Sequence, residues 1–387
     1  MLRWVGLLTL WAFAFLAFVS PAAAAPWDAA QLAAIDKATT GAIDRGECPG
    51  AVIVVLHDDQ VVYRKAFGHR TLQPHKTTMT TDTIFDLASL TKPIATGTAI
   101  MLLIQQGKIR LDDRVSDYWP QFAAHDKDRV TIAQLLLHTS GLIPDNALTD
   151  YADGRAKALE RIANLKLQGP PGTQFRYSDV GFIVLGELVE RISGQPLDQF
   201  AHKHVFEPLK MTDTGFNPPP QRRERLAPTG LRDGKTILGE VHDPRAYRMG
   251  GVAGHAGLFS TADDLARYCR MLLRGGELDG VRILEEKTVQ LFTKPHPVPI
   301  VSKGQESTGL RALGWDVDTS YSGPRGDRFK KGEGYGHTGF TGTSIWIDPG
   351  TKTAVIILTH RVHPDDKGNV ARLRREVGTI VAQAVGR

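Results

Sequence analysis

The stretch FDLASLTKPI, Phe85 to Ile94, holds Ser89 and Lys92 three residues apart, with Pro93 directly behind the lysine. Proline inside a helix removes a hydrogen bond and clashes with the carbonyl four residues back, but the first turn tolerates it. A helix is therefore expected to begin at about Ser89, with the hydroxyl among unpaired backbone N–H groups at the positive end of the helix dipole. A developing alkoxide or acyl oxyanion is stabilised there. Lys92 falls on the same helix face. Its amine can take the serine proton only if its pKa drops from about 10.4 towards neutrality; burial or a nearby cation does this, and the apolar flanks allow it. A Ser-x-x-Lys pair arises by chance about once in a chain of this length, so alone it reads equally as an ordinary helix start.

Two further stretches bear on that choice. GTQFRYSDVGF, Gly172 to Phe182, presents Tyr177, Ser178 and Asp179 in a loop ahead of an apolar helix. A tyrosine held near a lysine passes a proton between nucleophile and leaving group. Ser178 or Asp179 equally serves to cap the helix that follows. YGHTGFTGTSIWIDP, Tyr335 to Pro349, opens a strand with His337, Thr338 and Gly339. Gly339 lets a substrate backbone approach the strand edge, and the Phe340 N–H is a candidate second oxyanion donor beside that of Ser89. In isolation the same residues are a Gly-rich turn with a partly exposed histidine.

In this order the three stretches resemble the signature of the serine β-lactamase and penicillin-binding-protein superfamily: Ser-x-x-Lys, then Tyr-x-Asn or Ser-x-Asn, then Lys/His-Thr-Gly. GKIRLDDRVSDYWP (Gly107–Pro120), TIAQLLLHTSGL (Thr131–Leu142), PPGTQFRYSD (Pro170–Asp179) and HAGLFSTADDLARY (His255–Tyr268) are similar to its class C β-lactamase and esterase branch. VHDPRAYRMGGVAGHAGLFST (Val241–Thr261), GHTGFTGTSIWIDP (Gly336–Pro349) and LTHRVHP (Leu358–Pro364) resemble a subgroup that includes exo-acting N-acetylmuramyl-L-alanine amidases. The resemblance spans essentially the whole mature chain. It implies Ser89 as nucleophile, Lys92 as its base, Tyr177 as second acid/base, and the backbone N–H groups of Ser89 and Phe340 as oxyanion hole. Asp179, His337, Thr338 and Gly339 then face the substrate. The implied reaction is acylation of Ser89, release of the leaving group and hydrolysis of the acyl-enzyme by water.

The chain departs from that signature twice. Asp179 stands where the motif has asparagine, and an ionised carboxylate only accepts hydrogen bonds. His337 replaces the motif lysine and is neutral for much of its time near pH 7, so it holds a β-lactam carboxylate less firmly. Both changes argue against efficient β-lactamase activity and fit an amidase, peptidase or esterase. No Glu-x-x-Leu-Asn run follows Tyr177, which leaves water activation to Tyr177 or Lys92. Arg361, just past the last strand, is either a partner for an anionic substrate group or a solvated strand-end residue.

The remaining sequence bounds these readings. The chain has 387 residues, 42% hydrophobic and 23% charged, with a formal charge of +5. Its basic residues are scattered, without the basic stripe and interleaved aromatics of a nucleic-acid binder. Arg3, the apolar run Trp4–Val19 and the small residues around Ala22 and Ala24 read as a signal peptide over residues 1–24, cut before Ala25. An uncleaved anchor is the alternative. Export to the periplasm or medium is expected, with no stable membrane insertion after cleavage. Cys48 and Cys269 are the two cysteines, and sequence leaves their pairing open.

Asp28–Gly46 reads as a helix, Pro49–Gly68 as a hairpin and Lys108–Arg225 as mainly helical, while Gly314–Ser320, Gly342–Pro349 and Thr353–His360 read as strands. Ser260–Gly276 reads as an exposed helix. Strands at both ends of the chain suggest one sheet. The expected fold class is α+β, the β-lactamase/DD-peptidase fold: an antiparallel sheet flanked by helices, with an inserted mainly helical lobe. Residues 25–107 and 226–387 form the α/β lobe and 108–225 the helical lobe.

No Gly-x-Ser-x-Gly elbow, His-Glu-x-x-His or P-loop occurs, and the thirteen histidines lack zinc-ligand spacing, so no metal and no organic cofactor are expected. His202/His204 and His360/His363 read as surface pairs. GGVAGHAG, Gly250 to Gly257, lacks the preceding strand that a nucleotide site needs. The expectation is a monomeric serine hydrolase acting through an acyl-enzyme on Ser89, an amidase or peptidase on small or peptidoglycan-fragment substrates. The alternatives are a carboxylesterase on the same scaffold and a slow-acylating penicillin-binding module.

Overall fold

The computed structural model describes Met1, residues 28–302 and residues 304–387. The expected signal peptide, apart from Met1, lies outside the described residues. Among the described residues no helix is long and apolar enough to cross a membrane.

Nine strands form the main sheet: β1 Gly50–His57, β2 Gln60–Thr71, β3 Thr77–Thr78, β4 His296–Ser302, β5 Gln305–Arg311, β6 Asp316–Asp318, β7 Tyr335–Thr338, β8 Ser344–Asp348 and β9 Thr353–Thr359. Their spatial order is β4-β5-β6-β7-β8-β9-β1-β2-β3. Adjacent strands run antiparallel. β1 and β2 form the expected hairpin, and the turn between them works because Asp58 and Asp59 take positive φ, which aspartate tolerates. β1 then pairs with β9, Ala51 opposite Thr359 and Val54 opposite Ile356, closing the sheet between the two ends of the chain.

The unbroken apolar run GAVIVVLH follows from burial on both faces. Ala51, Ile53 and Val55 pack with Leu32 and Ile35 of α1 (Ala29–Asp44) and with Leu373, Val377 and Val381. Val52, Val54 and Leu56 point the other way, onto α4 (Ala262–Leu273), into the core that also takes in α2 (Thr98–Gln105) and α3 (Asp179–Ser193). The C-terminal helix α5 (Ala371–Ala384) lies beside α1. Full burial of each such side chain contributes about 1.5–3 kcal/mol. The α+β class with an antiparallel sheet between helical layers is as expected.

Two expectations need correction, and the open question of the cysteines is answered. α4 is amphipathic, not exposed: Leu265, Tyr268, Cys269, Met271 and Leu272 are buried against the sheet. Cys48 and Cys269 are free, buried in different layers. His360 and His363 are no surface pair; they are 1% and 3% exposed and stack with ring centroids 5.6 Å apart. The apolar strand β9 carries them inward, and Phe85 meets His360 edge-on at 6.0 Å.

Burial lowers His360 to a pKa of about 3, with the neighbouring His363 adding to the fall. A depressed histidine contributes stability that is full above its unfolded pKa of about 6.5 and drains as pH falls towards the folded value. We expect about 3 kcal/mol to be lost through this group between pH 7 and pH 4.5. Replacement by phenylalanine keeps the ring packing, so urea unfolding of His360→Phe across that range should show a flatter pH profile. An unchanged slope contradicts the assignment.

Candidate active site

The Phe85–Ile94 stretch enters through a short strand, Phe85–Asp86, paired with Leu258–Ser260. A 3₁₀ turn, Ala88–Leu90, carries Ser89 and runs through a π-helical segment, Lys92–Gly97, into α2. Pro93 sits in the first turn of that segment, where it is tolerated. Ser89 thus stands at the head of the helical run, but in a tighter turn than an α-helix. Ala88, just before it, adopts φ +47°, a left-handed conformation that costs a non-glycine residue about 1 kcal/mol or more. The turn is laced to the 254–260 segment: Thr91 Oγ1 donates to Ala88 O at 2.6 Å and accepts from Leu258 N at 3.1 Å. Thr96 Oγ1 donates to Gly254 O at 2.7 Å.

Lys92 is fully buried. Its Nζ donates to Ser89 Oγ at 2.9 Å and to His255 O at 3.0 Å, and stands 2.5 Å from Asp179 Oδ1. The Tyr177 hydroxyl hydrogen-bonds with both Ser89 and Lys92. The sequence expectation for the amine is overturned here. Burial by itself lowers Lys92, but the Asp179 carboxylate and Tyr177 outweigh it and hold the amine above its ordinary value. The departure from the motif asparagine is the cause: a carboxylate in that place stabilises an ammonium. Burial raises Tyr177 in turn, against the opposing charge of Lys92.

Around this core the structure adds residues that the motifs did not single out. Tyr177 lies between two rings, His138 stacked at 4.4 Å and Tyr321 at 5.2 Å. His138 Nδ1 accepts from Ser178 N at 3.0 Å, and burial keeps the ring neutral. Arg311, buried and paired with Asp316 at 3.1 Å, supports the same wall. Asp243 accepts from the N–H groups of Arg245 and Ala246 and lies 3.0 Å from His255 Nε2, which keeps it strongly ionised despite burial. His138, Asp243 and His255 sat within stretches that carry the family resemblance; nothing in their spacing marked them as site residues. Asp179, Asp243 and His255 offer donor atoms within 4.8 Å of one another. A cation already stands among them, the Lys92 ammonium.

The helix after Tyr177 is capped by Ser178, whose Oγ accepts from Gly181 N at 3.0 Å. Asp179 is thereby free to face Lys92. The glycines of GGVAGHAG serve packing: a Cβ on Gly254 would lie 1.9 Å from Phe182 O, so this residue lets the loop touch α3.

Gly339 has a packing role as well. A Cβ there would meet Thr343 Oγ1 at 2.1 Å and Leu87 O at 2.4 Å, so this glycine brings the end of β7 against the main chain two residues before Ser89. β6 pairs with β7 only at Asp316 and Gly336, which leaves the stretch beyond it without a partner on that side. His337 is 5% exposed and held well below its ordinary pKa by burial, with Arg311 and Lys92 adding to the fall; it is neutral as expected but not partly exposed. Arg361 lies beside the cavity, but Nε donates to Phe340 O at 2.8 Å, and Nη1 is engaged by Asp366 and Gly368. Its plane covers the Phe340 ring at 4.4 Å, so it braces that residue. Arg374 donates to Gly339 O and Thr343 O from beneath.

Ser89, Tyr177, Asp179, His337, Thr338, Gly339, Phe340 and Arg361 all line one cavity of about 600 Å³. Lys92 forms its floor through Ser89. The arrangement can activate a hydroxyl, carry a proton through a phenol and receive an oxyanion between two strands of main chain.

Gly339→Ala is expected to cost about 3 kcal/mol from overpacking against rigid backbone and to slow acylation at Ser89. Denaturant unfolding together with the rate of Ser89 labelling by a fluorophosphonate measures both. Wild-type values would show that the close approach is not needed.

Comparison with known proteins places this geometry. The family described as Beta-lactamase matches residues 35–379. The chain is 34% identical over 365 residues to the N-acetylmuramyl-L-alanine amidase of Bacillus subtilis (strain 168), covering 83% of this chain and 80% of that protein. It is 35% identical over 351 residues to an Escherichia coli (strain K12) protein provisionally named D-alanyl-D-alanine carboxypeptidase, with coverage of 81% and 79%. Among solved structures it is similar to EstCE1, described as a hydrolase with promiscuous acyltransferase activity. There the TM-score is 0.70 at 25% identity, covering 92% of this chain and 99% of that one.

Proposed function

The chain belongs to the beta-lactamase family of hydrolases, and from that premise we propose that it is an exported serine hydrolase that cleaves peptidoglycan-derived amides through an acyl-enzyme on Ser89. One observation carries the reading: Ser89 Oγ lies 2.9 Å from a buried Lys92 Nζ, with the Tyr177 hydroxyl bonded to both, on the wall of the cavity that Phe340 closes. The names of the relatives support amide substrates from the cell wall.

In this reading Ser89 Oγ attacks the substrate carbonyl while its proton passes to the Tyr177 oxygen. The proton of the Tyr177 hydroxyl moves on to the leaving nitrogen as the C–N bond breaks. Lys92, an ammonium at rest, offsets the negative charge that gathers on Ser89 Oγ and on the tyrosine oxygen. Its role shifts from a free base to a charged partner of the relay. The N–H groups of Ser89 and Phe340 would receive the carbonyl oxygen. Water then follows the same path in reverse to release the acyl group. Neutral His337, with Arg361 already engaged, offers a β-lactam carboxylate a weaker grip than the family's motif lysine, so slow β-lactam turnover is expected.

A carboxylesterase is the second reading, favoured by the likeness to EstCE1. Incubating the mature protein with muramyl dipeptide, a D-alanyl-D-alanine peptide, p-nitrophenyl acetate and benzylpenicillin, followed by intact mass spectrometry, separates the two. Muropeptide turnover with only slow penicillin acylation is expected. Ester turnover alone selects the second reading. Ser89→Ala should abolish every adduct; hydrolysis at the wild-type rate in that variant would overturn the site.

A further inference from the structure

Asp86 has no place in the relay above, yet it is 2% exposed and touches each part of the site. Its Oδ1 accepts from Ala88 N at 2.8 Å, and its Oδ2 accepts from His242 N at 2.6 Å. Its main-chain oxygen accepts from Thr341 Oγ1 at 2.7 Å, and the next carbonyl, that of Leu87, accepts from Thr343 Oγ1 at 2.9 Å. The two ends of the proposed oxyanion hole, the turn at Ser89 and the stretch at Phe340, are thus fastened to one two-residue piece of chain. The cavity wall at His242 is fastened to the same carboxylate.

The bond to Ala88 N matters most. Ala88 is held at φ +47°, in the left-handed region, immediately before the nucleophile. An alanine leaves that region unless its surroundings hold it. We propose that Asp86 is a positioning residue: its ionised carboxylate holds Ala88 in the left-handed turn and so aims the Ser89 N–H and hydroxyl at the substrate. The proposal rests on the reading of Ser89 as nucleophile.

Both carboxylate oxygens face N–H donors. A proton on either one opposes a donor and breaks one of the two bonds. Burial pushes the Asp86 carboxyl up to about 6, against the pull of the His242 and Ala88 N–H groups; Asp243 adds to the rise and Arg232 opposes it. His242, whose main-chain N–H bonds Asp86, and His360, which packs against the neighbouring Phe85, are the histidines nearest to it in these contacts. The active form is the ionised one. The rate of Ser89 acylation should therefore fall through a single ionisation near pH 6 as the medium is acidified.

Asp86→Asn presents a permanent N–H₂ to one of the two donors and mimics the protonated state. The probe is a fluorophosphonate, whose reaction at Ser89 is followed by intact mass from pH 4.5 to pH 8, with p-nitrophenyl acetate hydrolysis alongside. Wild-type protein should lose about tenfold in labelling rate by pH 5 and more at pH 4.5. Asp86→Asn should be at least tenfold slower at pH 8, with KM for the ester little changed and the step near pH 6 gone. Adding Ala88→Gly, which takes the left-handed turn without strain, should return a measurable part of the rate. A purely structural role for Asp86 predicts no such rescue.

Asp86→Asn that labels at the wild-type rate, or that keeps the step near pH 6, overturns the proposal. Where Asp86→Asn does not fold, Ala88→Gly alone decides. It should lose less of its rate on acidification than the wild type, and an equal loss refutes the idea. Failure of the underlying reading looks different: wild-type Ser89 would take no label at any pH, removing the reaction that Asp86 is argued to support.

Discussion

A charge buried at the foot of a serine governs the architecture around it. Removing an ammonium from water costs several kcal/mol even after relaxation, so Lys92 persists in its place only with partners of good geometry. Asp179 at 2.5 Å supplies the opposite charge, and His255 O, Ser89 Oγ and the Tyr177 hydroxyl share its remaining donors. Each partner comes from a different part of the chain. Asp179 opens α3, His255 sits in the loop that two glycines press against that helix, and Ser89 precedes α2. The pair therefore does more than tune a proton. It ties α3, the His255 loop and the turn before α2 together at the point where the cavity opens, and a protein of this size has little stability to spare against its loss.

That dependence explains how much was legible beforehand. The strands of the sheet could be read because β1, β8 and β9 are runs of β-branched and aromatic residues bounded by turns. The candidate nucleophile could be read because Ser89-x-x-Lys92, the Tyr177 loop and His337-Thr338-Gly339 follow in the order of a known signature. What periodicity cannot show is which residues meet across long gaps. His138 and Tyr321 stack on Tyr177 from positions 39 residues before and 144 residues after it. Nothing in the sequence singled out Asp86. The state of Lys92 was misread for a related reason: apolar flanks predict a depressed amine, and only the fold reveals the carboxylate brought beside it. Histidines 360 and 363 looked exposed because a sequence gives no sign that a strand end turns inward.

The two departures from the family signature now form one pattern. Asp179 keeps the Lys92 amine charged on the floor of the site, and burial keeps His337 neutral on the wall. Relative to the motif with asparagine and lysine, the floor holds an ammonium–carboxylate pair of no net charge, and the wall lacks one positive charge. Asp86 adds a tension of its own. A carboxyl whose folded pKa is raised contributes stability below its unfolded pKa of about 3.9 and loses it as pH rises through about 6. The protonation state that suits folding is the opposite of the one that suits the serine.

The pairing of β1 with β9 joins residues about three hundred positions apart, and β7, which leads into Phe340, belongs to the same late segment. Contacts of such long sequence separation form slowly, because the loop between them must close first. A chain emerging from the ribosome therefore presents Ser89 long before the Phe340 stretch exists. Until the last fifty or so residues dock, Ser89 lacks the wall that faces it across the cavity. Synthesis order itself leaves that cavity unbuilt in the unfinished protein.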